Sequence, residues 1–294
     1  MNHISIKPSK KQELLNHSIE ALVQAFAPLY IYQIAKKIHQ EKMNSVFCDG
    51  KGERQCTYYL LMIVGDSAVR ENLVQEFADQ TCLDPRVVIR VCQKEVLLQN
   101  IHHRNAYLAR VINEGKLRYA APGMERLNEL QLPNLKKRLG RVIVHWRKRK
   151  EMADSFFTAA DQAIEAGQEH VGLFLLHHVT EQACLGLIDA FMDDQPDCRN
   201  LERLLQICAC FSNKPYRHFL GCTQTEVLLK IMVKGYHQAH QDERFSLGNH
   251  SIYRFLELVE SFLKLANALC QERFAVLQSE VDQVKVLKGG TVHG

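Results

Sequence analysis

The stretch Phe174-Leu-Leu-His-His-Val-Thr-Glu-Gln-Ala-Cys-Leu-Gly-Leu-Ile188 decides the fold. Apolar side chains fall on every side of it: Phe174, Leu175, Leu176, Val179, Ala183, Leu185, Leu187 and Ile188, flanked by Leu173 and Phe191. A helix that is apolar all round is one that other helices surround. The exceptions are His177, His178, Glu181 and Gln182. His177 and Glu181 are one turn apart and share a face. The stretch therefore reads as the central helix of a bundle, running over 168–193.

Outward from this helix toward the C-terminus no strand pattern appears. Apolar spacing predicts helices near 136–166, 200–211, 222–241 and 250–280. Asp193-Asp-Gln-Pro-Asp197 and Asn213-Lys-Pro215 read as turns. Lys285 to Gly294 has little apolar content and carries Gly289-Gly290, which predicts a flexible tail.

Toward the N-terminus, Ala121-Pro122-Gly123 and Pro133 break the chain, so 122–135 reads as a linker. Before it, a long helix is predicted over 11–42, divided or kinked at Pro28. Residues 43–57 read as a loop or hairpin. Tyr58-Tyr-Leu-Leu-Met-Ile-Val64 is a short apolar run closed by Gly65-Asp66, the pattern of a buried strand. A helix over 68–80, a second strand over Arg86–Cys92 and a helix over 94–114 ending at Gly115 follow. The fold class is α+β: an α/β domain over 1–121, the linker, an all-α bundle over 136–284 and a tail over 285–294.

The 294 residues favour two domains, and 46% apolar residues are enough for a core in each. A net charge of +4 excludes a global polycation, so any basic site is local. No apolar run approaches the ~18–20 residues that span a bilayer, so no membrane partner is expected. Met1 to Gln12 carries charges and no apolar core, so no secretory signal is read. The ten cysteines form no Cys-x-x-Cys, and several lie in apolar helical runs. That usage points to a reducing cytoplasm.

The central helix resembles the second helix of HEPN domains, whose pattern is Phe-Leu-Leu-His-Gln followed by a Glu-Gln-Ala step. Two further pieces match in order. Asn200-Leu-Glu-Arg-Leu-Leu205 resembles the family's His-Asn-Leu and leucine pair, with Arg199 where His is common. Val233-Lys-Gly-Tyr-His-Gln-Ala-His240 resembles the later helix, with Tyr236 in register and His240 where Arg is usual. The resemblance covers about 141–280. In the other half, Tyr58–Val64 is similar to the strand that nucleotidyltransferase-like domains write as Tyr-Asp-Leu-Leu-Val-Ile-Val. Asn113-Glu-Gly-Lys-Leu-Arg-Tyr119 is similar to their closing helix end. The whole resembles nucleotidyltransferase-like and HEPN fusions common in Bacteroidetes. The resemblance implies a homodimer through the bundle and a setting such as defence or a toxin–antitoxin-like system.

Nucleotidyl transfer needs a Gly-Ser turn for the triphosphate and strand carboxylates for divalent metals, which neutralise the transferring group. This sequence has no Gly-Ser and no Asp-x-Asp, and Tyr59 stands where the strand would carry Asp. Asp49, Glu53 and Asp66 are the nearest carboxylates, and none has the spacing. Transfer activity is therefore expected to be lost, with no cofactor held. HEPN ribonucleases pair an Arg, which steadies the scissile phosphate, with a His that moves a proton. Arg244 with His250 and Arg138 with His145 have the family spacing. A chain this rich in arginine with 14 histidines yields about two such pairs by chance. Arg244 and His250 are the catalytic pair if the bundle cleaves RNA; otherwise they belong to a polar loop in which Asn249 caps the last helix.

Residues 136–150 hold Lys136, Lys137, Arg138, Arg141, Arg147, Lys148, Arg149 and Lys150 without an acid. Such a cluster binds phosphate, with Trp146 placed to stack a base; the alternative is a solvated helix start. His177, Glu181, Asn200, Tyr236 and His240 read as polar positions inside the bundle. A metal at His177, Glu181, His237 and His240 is weighed against hydrogen bonding between helices, and the latter is preferred. The functional expectation is a non-catalytic nucleotide- or RNA-binding module. The alternatives are a metal-independent ribonuclease using Arg244 and His250, or a dimeric interaction scaffold.

Overall fold

The computed structural model describes residues 10–40, 54–82, 84–103, 105–241, 247 and 249–289. The chain divides into two compact units, Met1–Leu132 and Pro133–Gly294. The first is a four-stranded mixed sheet with helices and the second is all helical, an α+β architecture.

In the first unit, α1 (Lys10–Phe26) ends where Ala27 turns to φ 43° ahead of Pro28. The chain then continues not as a helix but as β1 (Tyr30–Gln40). The reason lies in the residues. Ile34 and Ile38 are four apart, a spacing helices and strands share, while Tyr30-Ile-Tyr32 favours the pleated surface. Strand β2 (Arg54–Val64) follows; the intervening 41–53 fall outside the described residues. After α2 (Glu71–Thr81) come β3 (Arg86–Gln93), α3 (Lys94–His103), α4 (Ala106–Glu114) and β4 (Lys116–Ala120). The one helix expected over 94–114 is thus two, α4 starting afresh under an Asn105 cap that accepts from Leu108 N at 3.1 Å.

The stretch 113–119, read as a closing helix end, does end α4 at Glu114, but past Gly115 it becomes β4. Gly115 makes the corner, since a Cβ there would lie 2.3 Å from the Val111 carbonyl oxygen. The sheet order is β3-β2-β1-β4, with β2 and β3 parallel and the other pairs antiparallel. β2 is buried on both faces. Tyr58, Leu60, Met62 and Val64 meet Leu15, Ile19 and Leu22 of α1 and Val74 and Ala78 of α2. Tyr59, Leu61 and Ile63 are buried on the opposite side.

Two side-chain devices complete this unit. On the open edge of β3, the Gln75 amide donates to the Val87 carbonyl and accepts from Ile89 N, both at 2.9 Å. Glu71 accepts from Val91 N at 3.0 Å and pairs with Arg90. The outward backbone groups of three alternate residues are thus satisfied by α2 rather than left for another strand. Past the sheet, Asn113 of α4 donates to the Leu130 carbonyl and accepts from Leu130 N, both at 2.9 Å.

In the second unit, α6 (Glu169–Met192) is the axis, packed by α5 (Leu135–Glu165), α7 (Leu201–Cys208), α9 (Thr223–Gln241) and α10 (Ile252–Gly289). Gly167, at φ 75°, turns the chain from α5 into α6. Close approach of the two helices depends on Gly172 and Gly186. A Cβ on Gly172 would lie 2.5 Å from Ile164, and one on Gly186 would lie 2.7 Å from the Trp146 ring. By length and composition α6 is long and apolar enough to cross a membrane, contrary to the reading of its sequence. Of its most apolar window 78% is buried by its neighbours, so it serves as the core of the bundle.

Two further corrections concern ends. Asn213-Lys-Pro215 opens a helix, α8 (Asn213–Leu220), capped by Ser212, which accepts from Lys214 N at 3.3 Å. Proline in a first turn loses no helical hydrogen bond, which is why its breaking signal misleads there. Residues 285–289, expected in a tail, continue α10, and 290–294 lie outside the described residues.

Candidate functional site

Helix α5 begins under Asn134, whose side chain accepts from Lys136 N at 3.0 Å and Lys137 N at 3.2 Å. At about 100° per residue, positions 136, 137, 140, 144, 147 and 148 fall on one side and 138, 142, 146, 149 and 153 on the other. The burial follows this division. Lys136, Lys137, Arg147 and Lys148 are exposed, and none has an ion-pair partner among the described residues. Between them Val144 is 58% exposed and Gly140 leaves the helix surface bare. Arg138, Val142, Trp146 and Ala153 are buried against the bundle.

The cation run is therefore two populations. Arg138 and Arg141 both bind the carboxylate of Asp193, the residue that ends α6 at φ 58°. Arg149 donates to Gln182 at 2.6 Å, and Lys150 pairs with Asp154 one turn on. Trp146, expected to stack a base, is 4% exposed and packs on Gly186. Its ring faces inward because position 146 lies opposite 137 and 148 on the helix; it offers no stacking surface. Arg138 and His145, which matched the ribonuclease spacing, are each engaged by a different acid at the C-terminal end of α6. His145 lies 3.5 Å from Asp189 and 3.0 Å from the Gln195 amide, while Arg138 is on Asp193. Burial makes the Asp189 carboxyl harder to ionise than usual, with His145, Arg141 and Gln195 opposing.

Farther along α6, Glu181 accepts from Arg199 Nη1 at 2.8 Å and lies 3.1 Å from His178 Nδ1. Burial opposes ionisation of Glu181, yet the bonds from His178 and Arg199 outweigh it and hold the carboxyl below its usual range. His177 is buried and stacks on Tyr236 of α9, with centroids 3.9 Å apart and planes 11° apart. Phe174 stacks on the same tyrosine at 5.4 Å. The polar bundle positions His177, Glu181 and Tyr236 thus converge on one place. His178 and Arg199 complete the cluster, and the His178–Glu181 spacing of three was a signal for it that went unused. Asn200 serves elsewhere, capping α7 by accepting from Arg203 N at 3.0 Å. His240 lies in α9, with its side chain outside the described residues, as are those of His102 and His103.

Of the second pair, Arg244 lies outside the described residues. His250 is half-buried before α10, its Nδ1 3.5 Å from Arg254 Nη1. Asp49 and Glu53 also lie outside. Tyr59 is 4% exposed in the core of the sheet unit, Asp66 accepts from Ala68 N at 2.8 Å in the turn after β2, and Glu71 is committed to β3. Among the described residues no strand of that unit brings carboxylates together.

No family model matches this chain, and no curated protein matches it. Among solved structures it is similar to a nucleotidyltransferase-like protein from Exiguobacterium sibiricum 255-15. The identity is 13%, 93% of this chain and 79% of that one are covered, and the TM-score is 0.25.

Proposed function

We propose that this chain is a non-catalytic RNA-binding protein whose phosphate-contacting surface is the exposed face of α5. The observation that carries the reading is the set of four exposed cations, Lys136, Lys137, Arg147 and Lys148, with no ion pair among the described residues. They span 13 residues, 12 steps of 1.5 Å, or about 18 Å of helix. That length suits a run of backbone phosphates better than a single nucleotide. In the same reading the bundle is of HEPN type and dimerises. The sheet unit is nucleotidyltransferase-like with its transfer chemistry lost, and the protein works in the cytoplasm in a defence or toxin–antitoxin-like setting. The likeness of the Phe174–Ile188 stretch to HEPN sequences supports this.

The test is the anisotropy of a labelled single-stranded RNA with full-length protein at two salt concentrations. Four phosphate contacts predict a slope of log affinity against log salt of about −3. Lys136→Glu with Lys137→Glu, and separately Arg147→Glu with Lys148→Glu, should each weaken binding and flatten the slope. Equal affinity in both variants would remove α5 from the surface. The same RNA on a gel reads cleavage. Cleavage that disappears in His250→Ala would replace this proposal with the ribonuclease using Arg244 and His250.

A further inference from the structure

We propose that His177, His178 and Glu181 form a binding site for one divalent transition-metal ion of the zinc class. The proposal is independent of the α5 surface and departs from the sequence reading, which preferred hydrogen bonding there. Each residue offers one ligand atom, and these atoms all lie within 4.8 Å of one another. A tetrahedral zinc with ligands at 2.0–2.1 Å sets its donor atoms about 3.4 Å apart. His178 Nδ1 and Glu181 already stand at 3.1 Å, and with all three atoms within 4.8 Å a side-chain movement of up to about 1.4 Å closes the set.

The three ligands come from five consecutive residues of one helix, at i, i+1 and i+4. Their rings are held before any ion arrives. Tyr236 lies flat on His177, and His178 sits edge-on to Phe174 at 4.8 Å and beside Phe156 at 5.5 Å. Two imidazoles and a carboxylate are the donor types such ions take. Burial of His177 and Glu181, at 2% and 3% exposure, keeps bulk water from competing for the ion. Arg199 grips one oxygen of Glu181 and so fixes the carboxylate, as partners of ligating groups do. The other oxygen lies against His178 Nδ1. An ion placed between them displaces the proton that these two atoms share, and that proton leaves to solvent. Three protein ligands leave one coordination position for water or an incoming group. The Arg199 charge opposes the ion, which makes this a weaker site than one with four protein ligands.

Tag-free, full-length protein is dialysed against zinc, and cobalt binding is followed by visible absorption with zinc as competitor. The expected results are one ion per chain and a zinc-induced rise in melting temperature. Affinity should fall as pH drops and protons compete for the histidines. His177→Ala with His178→Ala should abolish stoichiometric uptake. Glu181→Gln, which can still accept from Arg199, should weaken binding at least tenfold. If the double alanine variant does not fold, wild type and Glu181→Gln decide alone. No ion on the wild type, or equal affinity in Glu181→Gln, would overturn the site. So would uptake that persists in a folded double variant.

Discussion

Eight cations within fifteen residues at the start of α5 do not share one role. The helical turn sorts them, sending Lys136, Lys137, Arg147 and Lys148 to solvent and Arg138 to a buried carboxylate. Two buried acids of α6 illustrate the same dependence on place. Glu181 is held more acidic than usual, so its stabilising contribution is present above its ordinary value of 4.5 and is lost as pH falls through its folded value. Asp189 is held less acidic than usual, so its contribution is full below 3.8 and is lost as pH rises through its folded value. Glu181→Gln should therefore lower the melting temperature at pH 7 and matter progressively less in acid. Asp189→Asn, which mimics the protonated form, should be more favourable at pH 7 than at pH 4. Melting curves at the two pH values check both, and parallel shifts would refute the assignment. Gly186→Ala tests packing, because its Cβ would meet the Trp146 ring at 2.7 Å. It should cost about 1–3 kcal/mol in denaturant titration.

Elements announced themselves in the sequence when one signal acted alone. The all-apolar helix α6 and the unbroken apolar runs of β2 and β3 lie within a few residues of where their patterns put them. Elements with mixed signals were misread. β1 carries apolar residues four apart, β4 is five residues long and is parted from α4 by Gly115 alone, and α8 hides behind Pro215 in its first turn. None of the side-chain caps on β3 is visible in a pattern, since Gln75 gains its meaning only when α2 lies along the strand. Gln75→Leu should remove both bonds to β3 while keeping much of the volume. The expected cost is about 1–3 kcal/mol for the groups left without partners. The uncovered edge should also raise self-association, read by light scattering. A variant as stable and as monodisperse as wild type would show that the cap is dispensable.

At the scale of the molecule, composition and chain breaks indicated a sheet-bearing part followed by helices, and the structure has both. The candidate site was only partly legible. His177, Glu181 and Tyr236 stood out as polar positions inside the bundle, but Arg199 joins Glu181 from beyond the end of α6, and a linear pattern does not encode that meeting. Each unit has its own buried core, so unfolding in denaturant should not be a single two-state transition. Trp146 makes this observable. It is the one tryptophan of the chain and lies inside the helical unit. Its emission should follow that unit alone, while far-ultraviolet circular dichroism follows both, and the two curves should not coincide. Coincident curves would mean that the units unfold together. The indole that looked like a ligand contact is instead a native optical label: its wavelength and quenching report on the bundle without any dye attached.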